Sequence, residues 1–222
     1  MEASSVPTGR TGAGDGNVDP TAGEAAGHRV SFVPSPIADP GPLGLGAFAL
    51  TTFVLSMYNS GLVAKPGEPI FYGLALMYGG IVQVLAGMWE FRTGNTFGAV
   101  AFSSYGGFWL SLWAFLQFYA AKVPAADAGH AVGLFLIAWG IFTTLMLIAS
   151  LRTTAAVAVV FALLTATFFA LGIGNAGGNA NIVKLGGYLG LVTAAAAWYA
   201  CFAGVANATF GRVIMPVKPM SR

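Results

Sequence analysis

Residues 39–45 read Asp39-Pro40-Gly41-Pro42-Leu43-Gly44-Leu45, and they mark the point where a polar chain becomes an apolar one. Pro40 and Pro42 disfavour a helix interior, but proline suits the first turn of a helix, where its missing N–H has no partner to lose. Asp39 can cap the free amides of that turn. The apolar run 43–64 is long enough, at about 1.5 Å per residue, to cross a hydrocarbon core of about 30 Å. The stretch therefore predicts the start of a first transmembrane helix.

The composition excludes a soluble domain. Hydrophobic residues make up 56% of the chain and charged residues only 8%, and the mean hydropathy is +0.74. Soluble proteins carry about 25% charged residues, because their surface faces water. A net charge of +2 without a run of Lys or Arg gives no support for nucleic-acid binding. We therefore expect a multi-pass protein of the cell membrane, either a plasma or an inner membrane.

The chain divides into a polar N-terminal tail, a membrane domain and a short C-terminal tail. Residues 1–38 lack apolar periodicity and a signal-peptide core, which predicts a disordered tail. Residues 39–216 form the expected membrane domain, and residues 217–222 a second tail. Short connections separate the spans, so the fold class is an all-α membrane protein with six transmembrane helices. The expected helices are 43–64, 70–90, 97–120, 129–149, 154–174 and 184–208.

Basic residues predict that both termini are cytoplasmic, because Lys and Arg concentrate on that side. The opposite side would hold Lys65, Lys122 and Lys184. The cytoplasmic side would hold Arg10, Arg29, Arg92, Arg152, Arg212, Lys218 and Arg222.

Glycine spacing predicts close helix packing. Gly73, Gly80 and Gly87 lie seven residues apart and would form one groove along the second helix. Gly186 and Gly190 form a Gly-xxx-Gly pair on the sixth helix, continued by Ala194 and Ala197. Gly94-Asn95 and Gly178-Asn179, each placed before a helix, form a weak internal sequence repeat. It suits an inverted repeat of three helices each.

An enzyme is not expected. The chain has two histidines, His28 and His130, and one cysteine, Cys201, which cannot assemble a catalytic triad or a metal site. Glu90 lies near the end of the second helix beside Arg92, and we expect it at the membrane interface. We predict no metal and no cofactor.

Uncharged polar residues lie on two helix faces. Phe48, Thr52, Leu55 and Asn59 share a face of the first helix by their spacing. The same spacing on the fifth helix joins Leu164, Phe168, Leu171 and Asn175. Further polar side chains in or near the spans are Gln83, Ser103, Ser104, Tyr105 and Asn179. Each can simply bond to a neighbouring helix, but as a set they suit a narrow route for a small weak acid or its anion.

The opening stretch resembles the Asn-Pro-Ala-Pro-Leu-Gly-Leu motif of the acetate uptake transporter (succinate–acetate permease) family. Asp39 replaces the motif's Asn and Gly41 its Ala. The resemblance extends from 39 to about 216. The further motifs that carry it are Gly46-Ala47-Phe48, Thr51-Thr52, Glu90-Phe91, Gly94-Asn95-Thr96-Phe97-Gly98, Ser104-Tyr105-Gly106, Phe108-Trp109-Leu110, Gly174-Asn175 and Gly178-Asn179.

The resemblance implies a pore in each subunit of a homohexamer, pinched by Phe48, Tyr105 and Leu164. It implies that the Tyr105 hydroxyl offers a hydrogen bond to a passing carboxyl group. The polar contacts along the route would be Thr52, Asn59, Gln83, Ser104, Asn175 and Asn179, and the entrance would be the motif from Asp39 to Leu45.

The implied function is a transporter or channel for acetate and related short carboxylates, including succinate. Because the spans hold no His, Lys or Arg that could relay a proton, we favour a proton that enters together with the acid. A passive anion channel stays open. Two other functions also stay open, a membrane scaffolding or signalling protein with a regulatory tail, and an ammonium exporter.

Overall fold

The computed structural model describes residues 37–220, which form a bundle of six helices. Each of the six is long and apolar enough to cross a membrane, as the sequence predicts. The expected N-terminal tail falls almost entirely outside the described residues, as do Arg10, Arg29 and Arg222. The helices are α1 (Gly41–Asn59), α2 (Ile70–Thr93), α3 (Thr96–Lys122), α4 (Ala125–Ser150), α5 (Ala155–Ala176) and α6 (Ala180–Thr209).

Because six helices alternate in direction, the bundle has two ends. The "Asp39 end" holds the first turns of α1, α3 and α5 and the last turns of the other three helices. The "Asn59 end" holds the opposite termini. Lys65, Lys122 and Lys184 lie at or beyond helix termini of the Asn59 end, whereas Arg92, Arg152 and Arg212 lie at the Asp39 end. The structure therefore places these basic residues on the two sides expected from the sequence.

The first turn of α1 is capped as the sequence predicts. The Gly41 N–H donates to Asp39 Oδ1 at 2.8 Å, and the Gly44 N–H donates to the Pro40 carbonyl at 3.1 Å. The other end of this helix differs from the prediction, which extended it to residue 64. It ends at Asn59, because Gly61 adopts a left-handed conformation with φ of +80° that reverses the chain.

Asparagine caps begin α3 and α6. Asn95 Oδ1 accepts from the Gly98 N–H at 3.1 Å, and Asn179 Oδ1 accepts from the amides of Asn181 and Ile182 at 3.0 and 3.2 Å. The two caps lie at opposite ends of the bundle, as an inverted repeat of two three-helix units requires.

A π-helical turn interrupts α2 at Met77–Val82. Gly80 and Gly87 both approach α3, where they meet Leu110 and Ser103 respectively. Gly73 is exposed, and apart from its chain neighbours and the nearby backbone of its own helix, no atom of residues 37–220 lies within 4 Å of the position its Cβ would take. The single groove predicted along all three glycines is therefore wrong at Gly73. A seven-residue spacing marks one face only in a regular helix, and the π turn shifts that face.

The small residues of α6 pack against α1 and α5, as predicted. A Cβ on Gly190 would collide with Ser56 Oγ of α1, and one on Gly186 would lie 2.7 Å from the Leu171 side chain of α5. Ala194 and Ala197 are fully buried. These contacts lie within one chain, so the stripe holds the bundle together.

The segment after α6 runs back across the start of α5. The carbonyls of Lys218 and Val217 accept from the amides of Ala155 and Ala156 at 2.8 and 3.3 Å. Asn207 fixes the approach, because its side chain bonds to the backbone of Ile214 and Met215. The segment thus satisfies amides of α5 that a helix start leaves free.

Candidate functional site

A cavity of about 220 Å³ opens inside the Asn59 end of the bundle. The two faces expected from helical spacing both line it. From α1 they contribute Phe48, Thr52, Leu55 and Asn59, and from α5 Leu164, Phe168, Leu171 and Asn175. The polar and apolar residues of these two helices therefore face each other across one space, which we call the outer cavity.

The outer cavity holds two buried polar groups without partners. Thr52 is 6% exposed and Trp109 is 2% exposed, and neither Thr52 Oγ1 nor Trp109 Nε1 has a hydrogen-bond partner among residues 37–220. An unpaired polar group in such surroundings is costly, which makes both atoms ready for a ligand. An indole N–H can only donate, and a hydroxyl can donate or accept, so the pair suits a carboxylate.

A second, much smaller cavity of about 20 Å³ has room for about one water molecule, and we call it the neck. Phe48, Tyr105 and Leu164, the three residues expected to form a constriction, all line it and are each at most 5% exposed. Gln83 of α2 also lines the neck, directly after the π turn. Its Oε1 is buried without a partner in the described chain. The structure therefore brings four predicted residues to one point.

Tyr105 is fixed in the neck by its ring and its hydroxyl. The hydroxyl donates to Thr143 Oγ1 of α4 at 2.9 Å, and Thr143 in turn donates to the Trp139 carbonyl at 2.7 Å. The ring lies 6.1 Å from that of Phe48 between centroids. In this structure the hydroxyl proton is used by Thr143, whereas the resemblance implies a hydrogen bond to a passing carboxyl group. The implied role stays a prediction.

A third space, of about 330 Å³, lies at the Asp39 end, and we call it the inner cavity. It shares Phe102 and Phe161 with the neck, as the neck shares Phe48 and Leu164 with the outer cavity. The three spaces therefore follow one another through the bundle, with the neck between two wider chambers.

The entrance motif contributes unevenly to the inner cavity. Its lining members are Asp39, Gly41, Pro42 and Leu45. Pro40 is buried, Leu43 is 47% exposed on the outside of the bundle, and Gly44 packs against the Phe102 ring. The alternation follows from the helical period, which turns every third or fourth residue of the motif inward.

Glu90 also lines the inner cavity and lies near the end of α2, where we predict an interfacial residue. Within the bundle its side chain is only 1% exposed. The reason is the packing of α2 against the first turns of α1 and α3. This covers the last turn of α2, which a helix end on its own would leave in the headgroup region.

The remaining predicted polar contacts lie outside the neck. Asn59 and Asn175 join Asn179 around a shallow depression where the outer cavity opens. The Asn175 side-chain amide donates to the Leu171 carbonyl at 2.8 Å. Ser104 lines none of the three spaces, and its neighbour Ser103 packs against Gly87. We therefore remove Ser104 from the candidate site.

The sequence reasoning missed Trp109, Phe161 and Glu90 as lining residues. Trp109 lies four residues after Tyr105, so helical spacing could have found it. No comparable signal marks Glu90, because its burial depends on two other helices. Among residues 37–220, no group of three or more His, Cys, Asp or Glu side chains could hold a metal.

Comparison with known proteins gives consistent results. Residues 23–222 match the GPR1/FUN34/yaaH family. Acetate permease A of Emericella nidulans is 46% identical over 195 residues, covering 81% of this chain and 65% of that protein. The succinate-acetate/proton symporter SatP of Escherichia coli K12 is 42% identical over 183 residues, covering 82% of this chain and 95% of the symporter.

A solved structure described as the bacterial acetate channel SatP has the same fold. Its TM-score is 0.76 at 40% identity, and the match covers 82% of this chain and 99% of that one. The match thus spans less than two thirds of the fungal permease but nearly all of the bacterial protein. These proteins are a permease, a symporter and a channel, so none is an enzyme, and the resemblance predicted from the motifs is confirmed. The chain belongs to the GPR1/FUN34/yaaH family.

Proposed function

We propose that this multi-pass membrane protein carries acetate and related short carboxylates, including succinate, across the membrane through its outer cavity, neck and inner cavity. The observation that carries the proposal is the sequence of three spaces with shared walls, narrowest at Phe48, Tyr105 and Leu164. The names of the relatives supply the substrate class, since both are carboxylate transporters.

The neck supports selection by size. With room for about one water, it is too small in this conformation for acetate, so a side chain has to move as the substrate passes. Phe48 and Leu164 can change rotamer, whereas Tyr105 is held by Thr143. We therefore assign the gating movement to Phe48 and Leu164, with Tyr105 as the fixed wall.

The outer cavity supports recognition of a carboxylate. Trp109 Nε1–H and the Thr52 hydroxyl line the same space, and neither has a hydrogen-bond partner in the described part of the chain. Apolar side chains such as Leu136 and Phe168 line the same space and suit a methyl group, and the Lys65–Glu68 ion pair lines it as well. A short acid can thus place its carboxylate on the donors and its carbon chain toward the neck.

Desolvation favours passage of the acid together with a proton. A bare carboxylate in a low dielectric costs several kcal/mol even after relaxation. Within residues 37–220, no Lys, Arg or His lines the neck to offset the charge. We therefore propose that acetate crosses the neck as acetic acid, with the proton entering alongside it.

Uptake of labelled acetate into proteoliposomes tests the proposal. The measurement is made at a pH where the acid is ionised, so that leakage through lipid is small, and empty liposomes are the background. We expect uptake that propionate inhibits and glucose does not. Uptake equal to that of empty liposomes would contradict transport of acetate.

The same vesicles separate the alternatives. Ammonium efflux with no acetate uptake would favour the exporter. The scaffold would be favoured by two results together. The protein would show no flux of either solute, and deletion of residues 1–38 would abolish binding of a partner. By family resemblance we also propose a homohexamer with one route per subunit, which light scattering of the purified protein in detergent tests.

A further inference from the structure

The Glu90 side chain is buried and lines the inner cavity. A methyl group placed on Gly41, in the first turn of α1, would lie 3.5 Å from Glu90 Oε1. One placed on Gly98, in the first turn of α3, would lie 2.7 Å from the same oxygen. The distance at Gly41 is an ordinary contact, whereas the one at Gly98 is too short for any side chain, so glycine at 98 leaves room for the carboxyl group.

The two oxygens of Glu90 are not equally satisfied. Oε2 accepts from the Thr93 hydroxyl at 3.2 Å. Oε1 is fully buried and makes no hydrogen bond within residues 37–220, although the Asn95 side chain lies nearby. A protonated carboxyl presents an O–H donor, whereas an ionised one presents only acceptors. The unpaired oxygen therefore leaves a place for a proton and for the group that takes it.

A second carboxyl group lies next to Glu90. Asp39 Oδ1 and Glu90 Oε1 lie 3.0 and 3.5 Å from one point, the position of a methyl group on Gly41. The two carboxyl oxygens are therefore near each other. Two negative charges this close would repel each other.

Apart from Asp39 and Glu90, the residues between 37 and 220 that line the inner cavity are uncharged. From α3 and its cap come Asn95 and Phe97, from the start of α5 Thr153 and Thr154, and from α6 Asn207. On its own helix, Arg92 is exposed to the outside. The inner cavity is thus lined by two carboxyl groups and, among the described residues, by no cation.

We propose that Glu90 is the proton-binding residue of the transport cycle, and that it exchanges the proton with the carboxylate substrate in the inner cavity. This inference rests on the proposed function. In one direction, protonated Glu90 donates through its O–H bond to an acetate oxygen. That O–H bond breaks as a new one forms on acetate, which leaves acetic acid and the Glu90 carboxylate. In the other direction, acetic acid arriving through the neck returns its proton to Glu90 and leaves as acetate.

Three variants in proteoliposomes test the inference. Glu90→Gln keeps the shape of the side chain but cannot carry a proton. Asp39→Asn removes the neighbouring charge. Asp127→Asn, an exposed carboxyl at the Asn59 end, is the matched control. Labelled acetate uptake is measured as a function of an identical pH on both sides, with and without an interior-negative potential set by potassium and valinomycin.

We expect wild-type uptake that rises toward acidic pH and is insensitive to the potential, because acid and proton move together. In Glu90→Gln, uptake should fall at least about tenfold, since a positioned proton donor contributes about 100-fold or more in enzymes. The residual uptake should be independent of pH and slowed by the potential. In Asp39→Asn, the pH of half-maximal uptake should move lower, because the Glu90 carboxylate loses a repelling neighbour. Asp127→Asn should match the wild type.

A Glu90→Gln variant that folds and keeps the wild-type pH profile and insensitivity to potential overturns the inference. Folding is checked by thermal melting and elution volume. If that variant does not fold, Asp39→Asn decides, and an unchanged pH profile overturns the inference as well. Absence of acetate uptake by the wild type is a different result, because it rejects the proposed function itself.

Discussion

At the scale of single residues, buried polar groups without a hydrogen-bond partner indicate residues kept for function, because such groups do not stabilise the fold. Thr52 Oγ1 lines the outer cavity unpaired, whereas the Thr165 hydroxyl on α5 donates to the Phe161 carbonyl at 2.8 Å. Burying a polar group without a partner costs about 1–3 kcal/mol, so Thr52 is not there for folding.

Thr52→Val should therefore lower acetate uptake while leaving the melting temperature unchanged or higher. Valine has nearly the same shape, so the outer cavity keeps its volume and loses only the hydroxyl. The control, Thr165→Val, should leave acetate affinity at the wild-type value. Equal acetate affinity in both variants would remove Thr52 from the site.

The neck residues give a second residue-scale prediction. Phe48→Ala and Leu164→Ala should widen the neck and raise acetate flux or admit larger acids such as butyrate. Truncations of this kind cost about 2–5 kcal/mol in a buried core, so melting is measured separately. Leu145→Ala, at a side chain 63% exposed on the outside of the bundle, is the control with unchanged selectivity. Lower stability with unaltered selectivity in both neck variants would indicate a packing role only.

Tyr105→Phe is expected to act through Thr143. The ring stays, so size exclusion should persist, and loss of the hydrogen bond should lower stability by about 0.5–1.5 kcal/mol. Thr143→Val should reproduce the effect, and the double variant should be little worse than either single one. Additive losses of stability in a double-mutant cycle would show that the two groups act independently.

Much of the site follows from the sequence at this scale, because helical periodicity alone places residues on a common face. Phe48, Thr52 and Asn59 face one cavity for that reason. The partner of the Tyr105 hydroxyl and the burial of Glu90 do not follow, because each depends on which other helix packs there. Spacing along one helix contains no information about its neighbours.

At the scale of helices, the two glycine patterns behave differently. The α6 pattern lies in a regular helix, so Gly186 and Gly190 face neighbouring helices as their spacing predicts. The α2 pattern crosses a π turn, and Gly73 lies on open surface. Six helices were predictable from apolar length, whereas this turn was not, because the glycine pair within it, Gly79-Gly80, is equally typical of the small residues that let helices pack closely.

Gly190→Leu and Gly73→Leu form a matched pair. A side chain at Gly190 meets Ser56, with Ser56 Cβ 3.1 Å from the position of the new Cβ, so α6 must move away from α1. We expect misfolding or a large loss of thermal stability for Gly190→Leu. For Gly73→Leu we expect that the helix bundle of the single chain keeps its wild-type thermal stability in detergent. Elution volume and thermal melting measure both. Equal melting temperatures would show that the close contact of α6 with α1 contributes little.

At the scale of the whole molecule, the distribution of cations predicts which compartment the inner cavity faces. An even number of spans places the ends of the membrane domain on one side, and the positive-inside rule predicts that this side is cytoplasmic. The inner cavity, with Asp39 and Glu90, would then open to the cytoplasm. The outer cavity would open to the outside near Lys65.

Cysteine labelling on intact cells checks this orientation. In a Cys201→Ala background, which removes the single native thiol, Lys122→Cys lies at the Asn59 end and Arg212→Cys at the Asp39 end. A membrane-impermeant maleimide should label Lys122→Cys in intact cells and label Arg212→Cys only after lysis. The reverse pattern would place the inner cavity outside, and the proton that binds Glu90 would then come from the external medium.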